Sequence, residues 1–182
     1  MELPVTVRNR RALMLGLASA FALPVALASL PAAASPEGHG NNEQLLGAPA
    51  RSGQGRVIRI EMTDNRYNTR RVQVRAGETI RFVAVNRGQF VHEFSFAPAE
   101  VHAAHRPMMA MMMDHGMITP ERIVNLSMPG MDHTAPNTVL VEPGKTGEIS
   151  WRFNRAGTIE IACNIPGHYE SGMRADLEVT GR

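Results

Sequence analysis

The 182-residue chain has one cysteine, and two further residues that could bind a metal follow it at equal steps. In the stretch CNIPGHYESGM, Cys163 is followed by His168 after five residues and by Met173 after ten. A lone thiol is an inert buried side chain, an intermolecular disulfide, a nucleophile or a metal ligand. A nucleophile would use His168 as its base, but Met173 would then have no role. Thiolate, imidazole and thioether together favour a transition-metal site.

A second histidine completes the ligand set. His92 begins a predicted strand in NRGQFVHEFSF, directly after an Asn-Arg-Gly turn, and a strand there could present it to the loop after Cys163. Two imidazoles, one thiolate and a weakly bound thioether form the ligand set of blue-copper sites. We therefore predict one copper ion held by four residues, His92, Cys163, His168 and axial Met173. The alternatives are a structural sheet histidine at position 92 and core packing by Cys163 and Met173.

Short strand-like segments, the first three of which alternate apolar and polar residues, must position these ligands. They are RVIRIEM, RRVQVRA, ETIRFVAVN, VHEFSF, NTVLVEP, GEISWRFN, GTIEIACN and ADLEVTG, most of them separated by Gly-containing turns. About eight short strands without alternating helices predict an all-β fold, an antiparallel β-sandwich or Greek-key barrel. Phe82, Trp151 and Phe153 are predicted to fill its core.

A segment rich in methionine and histidine, about 98–136, interrupts the strands as a helical or loop insertion. It holds eight of the twelve methionines and four of the seven histidines. In a helix, one face would carry His102, His105, Met109 and Met112. Such a face could bind additional copper through imidazole and thioether. Alternatively, the methionines pack the insertion against the sandwich.

The N-terminal residues 1–34 have the order of a secretory signal peptide. Three arginines precede an Ala/Leu-rich stretch and a small-residue cleavage site, with cleavage predicted after Ala34 or, as second choice, after Ala28. An uncleaved membrane anchor is the alternative. Arg10 and Arg11 are compatible with a twin-arginine signal as well as with the general secretory route. Residues 35–55 are polar and predict a flexible leader, followed by one domain over 56–182.

The charge of the chain points to no polyanionic partner. The net charge is +2, and residues 1–34 contribute three Arg and one Glu, also +2, so the remainder is close to neutral. We therefore predict no nucleic-acid partner. Cleavage of the signal peptide is predicted to leave no stable membrane span.

The stretches around the predicted ligands resemble a known family. RAGETIRFVAVNRGQFVHEF, MDHTAPNTVLVEPGKTGEISWRF and GTIEIACNIPGHYESGM are similar to sequences of the cupredoxins, the type 1 blue copper proteins, and in particular to bacterial periplasmic cupredoxin-like proteins associated with copper tolerance. The resemblance covers residues 56–182. It implies a Greek-key sandwich with type 1 copper on His92, Cys163, His168 and Met173, and it implies that electrons pass through His168.

Two features depart from parts of that family. The four residues between Cys163 and His168 form a longer gap than in plastocyanin, more similar to auracyanin and rusticyanin. Several members brace the ligand loop with an Asn directly after the first histidine ligand, where this chain has Glu93. A binuclear copper centre needs a second cysteine in the loop, and the sequence has none.

These observations predict a periplasmic copper protein that is not an enzyme. Phosphate-binding loops, paired catalytic carboxylates and zinc-type cysteine pairs are absent from the sequence. The predicted role is one-electron transfer, copper handling in tolerance, or both, with a redox or copper-transfer partner docking near His168. The alternative is a protein that sequesters or transfers copper through the Met/His segment and carries no electrons.

Overall fold

The computed structural model of the chain describes residues 41–126 and 135–181. The predicted signal peptide with its cleavage sites, the first part of the predicted leader, His39 and His133 lie outside the described residues. Within the described ranges, no helix is both long enough and apolar enough to cross a membrane.

The described residues form ten strands and one helix. In chain order these are β1 (Gly47–Pro49), β2 (Arg56–Thr63), β3 (Arg66–Tyr67), β4 (Arg71–Arg75), β5 (Thr79–Asn86), β6 (His92–Ala97), α1 (Ala99–Asp114), β7 (Thr138–Val141), β8 (Thr146–Phe153), β9 (Gly157–Ala162) and β10 (Arg174–Thr180). All eight predicted strands are present. The short β1 and β3 carry too few residues to show a pattern.

The strands form two five-stranded sheets, which confirms the all-β Greek-key sandwich. The order in the first sheet is β1-β8-β5-β2-β3, and in the second it is β4-β10-β9-β6-β7. The sandwich is not wholly antiparallel, because β2 pairs parallel to β5 and β4 pairs parallel to β10. Parallel neighbours need a crossover connection. Here the chain leaves the first sheet after β3, forms β4 in the second sheet, and returns to place β5 beside β2.

Aromatic side chains from both sheets fill the core. Phe82, Trp151 and Phe153, as predicted, are fully buried. The ring centroids of Phe82 and Phe94 lie 5.2 Å apart, as do those of Phe96 and Trp151. Each pair joins one sheet to the other, so the rings connect the strand that carries His92 to the opposite sheet.

The predicted flexible leader is ordered over its second part, where the structure differs from the expectation. Leu45 and Leu46 are 2% and 7% exposed and belong to the core. The strand β1 that follows them pairs antiparallel with β8 at the edge of the first sheet. These two leucines are an isolated apolar pair in a polar stretch, which is too short to show a strand period.

The Met/His insertion begins with helix α1, which lies on the second sheet. The helix starts after Pro98, and the chain leaves it at Gly116, whose φ of +67° favours glycine. The predicted face is confirmed, since His102, His105, Met109 and Met112 are all buried. The helix therefore covers one side of the sandwich.

We expect Leu45→Ala to lower the free energy of unfolding by about 2 to 5 kcal/mol, as for other buried leucines. Chemical denaturation of the metal-free protein measures the change. Val57→Ala is the matched control, because Val57 is 54% exposed on β2 and its truncation should cost less than about 0.5 kcal/mol. Equal effects of the two substitutions would contradict a core role for the residues before β1.

Candidate metal centre

Cys163 and Met173 face each other where the β9–β10 hairpin opens into a loop. In the antiparallel register of these strands, Ala162 pairs with Arg174, so the next pair outward is Cys163 with Met173. The Cys163 N–H donates to the Met173 carbonyl over 3.2 Å. Directly opposed residues point to the same side of a sheet, and both side chains are fully buried. The ten-residue spacing in the sequence is therefore the length of the loop between two paired positions.

The loop between them is folded into tight turns. Gly167 and Gly172 have φ of +83° and +89°, in the region that favours glycine. The His168 N–H donates to the Ile165 carbonyl over 3.0 Å, and the Met173 N–H donates to the His168 carbonyl over 3.0 Å. These bonds turn His168 back toward Cys163.

His92 reaches the site from the start of β6, between β7 and β9. The turn before it is held by Asn86, whose Nδ2 donates to the carbonyls of Phe90 and Val141 over 2.7 and 2.8 Å. The Gly88 N–H donates to the Asn86 Oδ1 over 2.9 Å. The Asn-Arg-Gly turn seen in the sequence thus fixes the backbone that carries His92.

Three of the four predicted ligands, His92, Cys163 and His168, lie close together. His92 Nδ1 lies 3.3 Å from His168 Nδ1, and His168 Nδ1 lies 3.4 Å from Cys163 Sγ. One donor atom from each of the three residues falls within 4.8 Å of the others. Met173 is buried at the hairpin position opposite Cys163. The structure therefore brings all four predicted residues to one end of the sandwich.

Burial sets the protonation of these groups in the metal-free site. Burial, and next the neighbouring His168, lower the pKa of His92 to about 4, despite the opposing effect of Asp64. Burial also lowers the pKa of His168. Both imidazoles are then neutral near pH 7 and offer lone pairs. Burial raises the pKa of the Cys163 thiol to about 12, so the thiol is protonated near pH 7 in the metal-free site and would lose its proton on binding a metal ion.

The sulfur of Cys163 also accepts backbone hydrogen bonds. The Glu93 N–H points at Sγ over 3.3 Å, and a backbone bond from Ile165 lowers the pKa of the thiol against the effect of burial. Donors around a ligand sulfur stabilise its charged form and tune the potential of a bound metal.

Asp64 supports His92 from behind and was not found by sequence reasoning. Its Oδ1 lies 3.2 Å from His92 Nε2 and also accepts the Gln89 N–H over 2.9 Å. A Cβ added at Gly88 would overlap this carboxylate and lie 2.9 Å from His92 Nε2, so only glycine fits there. Because Nε2 faces the carboxylate, Nδ1 is the nitrogen left for a metal, as in carboxylate–histidine–metal arrangements.

Glu93, which departs from the family pattern, is buried behind the ligand loop. Its Oε2 accepts the N–H of Asn164 over 3.1 Å and the side-chain Nδ2 of Asn164 over 2.6 Å. Burial raises the pKa of Glu93, but bonds from His105, Asn164 and Thr138 and the charge interaction with His105 outweigh it, giving a pKa of about 2. Asn164, directly after Cys163, is the second functional residue that the sequence analysis missed.

The helix histidines predicted as ligands of additional copper have other neighbours. His102 Nε2 lies 3.1 Å from the Glu160 carbonyl and its Nδ1 lies 3.1 Å from Asn164 Nδ2. His105 Nε2 lies 3.0 Å from Glu93 Oε1. Both ring nitrogens of His102 are therefore engaged within the protein, and additional copper at this face stays a prediction.

An apolar surface surrounds His168, the one ligand of the cluster that is not fully buried. A shallow pocket there is lined by Phe90, Met113, Pro120, Ile165 and Pro166. Phe90 is 40% exposed, which is unusual for so large an apolar side chain.

The donor set fits copper. A thiolate, two neutral imidazoles and a thioether combine soft and intermediate ligands, which suit Cu(I) and Cu(II) and do not suit hard cations. The Asp64 carboxylate contacts His92 at the nitrogen away from the cluster, and the Glu93 carboxylate binds Asn164 and none of the four predicted ligands. Both therefore leave the sulfur and nitrogen donors to a metal.

Comparison with known proteins agrees with this chemistry. The sequence model of copper-binding proteins of the plastocyanin/azurin family matches residues 56–180. The chain is 42% identical over 150 residues to the copper-resistant cuproprotein CopI of Pseudomonas aeruginosa, covering 75% of this chain and 83% of that protein. It is 40% identical over 119 residues to the protein of the same name from Rubrivivax gelatinosus, covering 65% and 62%.

The fold also matches that of a solved structure, auracyanin B. The structure of auracyanin B superposes with a TM-score of 0.56 over 74% of this chain and 96% of that chain. The sequence identity is 19%, so this likeness concerns the fold.

Asp64→Asn is expected to weaken copper binding by about 10- to 100-fold, because the substitution removes the charged acceptor behind His92. Competition with a chelator of known affinity measures the change. Asp176→Asn makes the same charge change at an exposed position on β10 and should leave the affinity unaltered. If both substitutions have the same small effect, the contact between Asp64 and His92 does not support the metal.

Proposed function

Since the chain belongs to the plastocyanin/azurin family of copper-binding proteins, we propose that His92, Cys163, His168 and Met173 would hold one type 1 copper. The copper would serve one-electron transfer, copper tolerance, or both. The observation that carries the proposal is the meeting of one thiol and two imidazoles within 4.8 Å. Copper bound by such ligands exchanges one electron between Cu(I) and Cu(II).

The protein contributes a pre-formed ligand frame. Cys163 and Met173 are fixed by backbone pairing, His168 by loop turns, and His92 by the Asp64 contact. Because each ligand is held by the fold and not by the metal, the same geometry is available to both oxidation states. Little reorganisation on electron transfer supports a carrier role, with no substrate turned over.

His168 is the proposed point of contact with a partner. It is the part-exposed ligand, and an apolar rim that includes Phe90 and Pro166 surrounds it. A small apolar surface suits brief docking of a redox protein or a copper-transfer protein. We place this encounter in the periplasm, on the strength of the signal-peptide pattern in residues 1–34.

The names of the relatives support a part in copper tolerance. Those proteins are described as copper-resistant cuproproteins. A site that binds copper tightly on a soft thiolate lowers the concentration of free copper around it. Binding and electron transfer use the same four residues, so one site serves both proposed roles.

Cys163→Ser is expected to abolish the intense visible band that a Cu(II)–thiolate bond produces. A copper titration followed by visible absorption measures the band and the number of ions bound. Met173→Leu is the matched variant, because it should keep the band and raise the reduction potential through loss of one donor to the oxidised site. A band that survives Cys163→Ser, or a colourless wild-type protein, would contradict the type 1 site.

A second candidate function is copper sequestration without electron transfer. Three methionines on α1, Met108, Met111 and Met113, remain partly exposed, and thioethers are Cu(I) ligands. The two functions are separated by growth in copper of a strain that lacks the gene. The strain is supplied with the wild-type gene, with Cys163→Ser, or with the variant in which all three methionines are leucine, and the three growth rates are compared. Loss of tolerance with Cys163→Ser alone supports the type 1 site. Loss with the triple variant alone, with the visible band retained, favours sequestration by the helix.

A further inference from the structure

We propose that helix α1 holds the copper ligand loop, residues 163–173, in place, and we call this set of contacts the clamp. Its buried histidines, His102 and His105, position Cys163 and are not ligands of a second copper. The proposal goes beyond the proposed function but rests on it for the role of Cys163. It gives the Met/His insertion a structural task inside the metal site.

The first residue of the clamp is Glu93. It directly follows the proposed ligand His92 on β6, and its carboxylate contacts His105 of helix α1. Successive residues of a strand point to opposite faces. Phe94 and Phe96 contact core rings of the other sheet, so Glu93 points outward, where α1 covers it. Continuing the β6–β9 register outward by two residues from the Ser95–Ala162 pair brings Glu93 opposite Asn164.

Residue 93 then holds Cys163 in two ways. Its N–H donates to Cys163 Sγ over 3.3 Å. Its carboxylate accepts the backbone N–H and the side-chain Nδ2 of Asn164, the next residue along the chain. The backbone on the C-terminal side of the ligand sulfur is therefore tied to a single buried carboxylate.

The helix fixes that carboxylate. His105 Nε2 lies 3.0 Å from Glu93 Oε1, and the Thr138 hydroxyl donates to the same oxygen over 2.9 Å. Since an ionised carboxylate only accepts hydrogen bonds, the His105 ring is the donor. A buried charge is tolerated only when such partners surround it.

A second histidine holds Asn164 directly. Asn164 Nδ2 donates to His102 Nδ1 over 3.1 Å, which leaves His102 Nε2 to donate to the Glu160 carbonyl on β9 over 3.1 Å. His102 is thus a bridge from the ligand loop to β9. Neither of its nitrogens is left for a metal in this arrangement.

A third helix residue contacts the loop farther on. The guanidinium of Arg106 lies 4.4 Å above the centroid of the Tyr169 ring and forms an ion pair with Glu170 at 3.4 Å. Positions 102, 105 and 106 lie on one helix face. Their side chains hold Asn164, directly after Cys163, and Tyr169, directly after His168. A shift of the helix would therefore move both proposed ligands.

Amide hydrogen exchange at Asn164 in the metal-free protein tests the clamp without copper. His105→Leu should speed this exchange at least about tenfold relative to wild type, because the carboxylate that holds the amide loses a donor. His105→Gln retains an N–H donor and should restore most of the protection. His115→Leu changes an exposed histidine at the end of the same helix and is the control.

The copper-loaded variants provide the second readout. In His105→Leu, the Cu(II)–thiolate band and the reduction potential should differ from those of wild type and His115→Leu, while one copper per chain is still bound. His105→Gln should lie between them. A purely structural histidine would lower thermal stability and leave both the potential and the band unchanged.

Three results would overturn the proposal. One is Asn164 exchange in His105→Leu that equals exchange in His115→Leu. Another is a band and potential that His105→Leu leaves unchanged. A third is loss of one bound copper in His102→Gln or His105→Gln with an intact thiolate band, which would make the helix histidines ligands. A wild-type protein without the band would refute the proposed function, while exchange in the metal-free protein would still decide the clamp.

Discussion

The proposed metal centre depends on one backbone pairing, that of Cys163 with Met173 at the open end of the β9–β10 hairpin. It places a thiolate and a thioether on the same side of the sheet and closes a loop just long enough to return His168 to the sulfur. His92 arrives from a neighbouring strand of the same sheet. The arrangement of the four proposed ligands is therefore set by the hydrogen-bonded sheet in the metal-free protein.

Two carboxylates give the site its electrostatic character. The part-exposed Asp64 faces His92, and the fully buried Glu93 faces the loop after Cys163. Negative charge outside the ligand shell favours the more positive oxidation state of a bound metal. The burial of Glu93 is possible because it is hydrogen-bonded to Asn164, His105 and Thr138, and those bonds make one unit of the helix, the sheet and the loop.

The meeting of His92, Cys163 and His168 in one cluster was predictable from the sequence, and so were eight of the ten strands. Cys163, His168 and Met173 lie close together in the sequence, and His92 follows an Asn-Arg-Gly turn that the sequence shows. Asp64 was not predictable, because it reaches His92 only where the parallel strands β2 and β5 end side by side. The position of the segment around Leu45 depends on the pairing of β1 with β8, which the local sequence does not show. The partners of His102 and His105 depend on where the helix packs, which periodicity does not specify.

We propose that the thiolate of Cys163 and the imidazoles of His92 and His168 bind the copper directly. X-ray absorption at the copper edge, on protein loaded with one equivalent, tests it most directly. We expect one short copper–sulfur distance together with two imidazole nitrogens, and loss of that sulfur distance in Cys163→Ser. A first shell of long thioether sulfurs, or of nitrogen and oxygen alone, would contradict it and place the copper elsewhere in the chain.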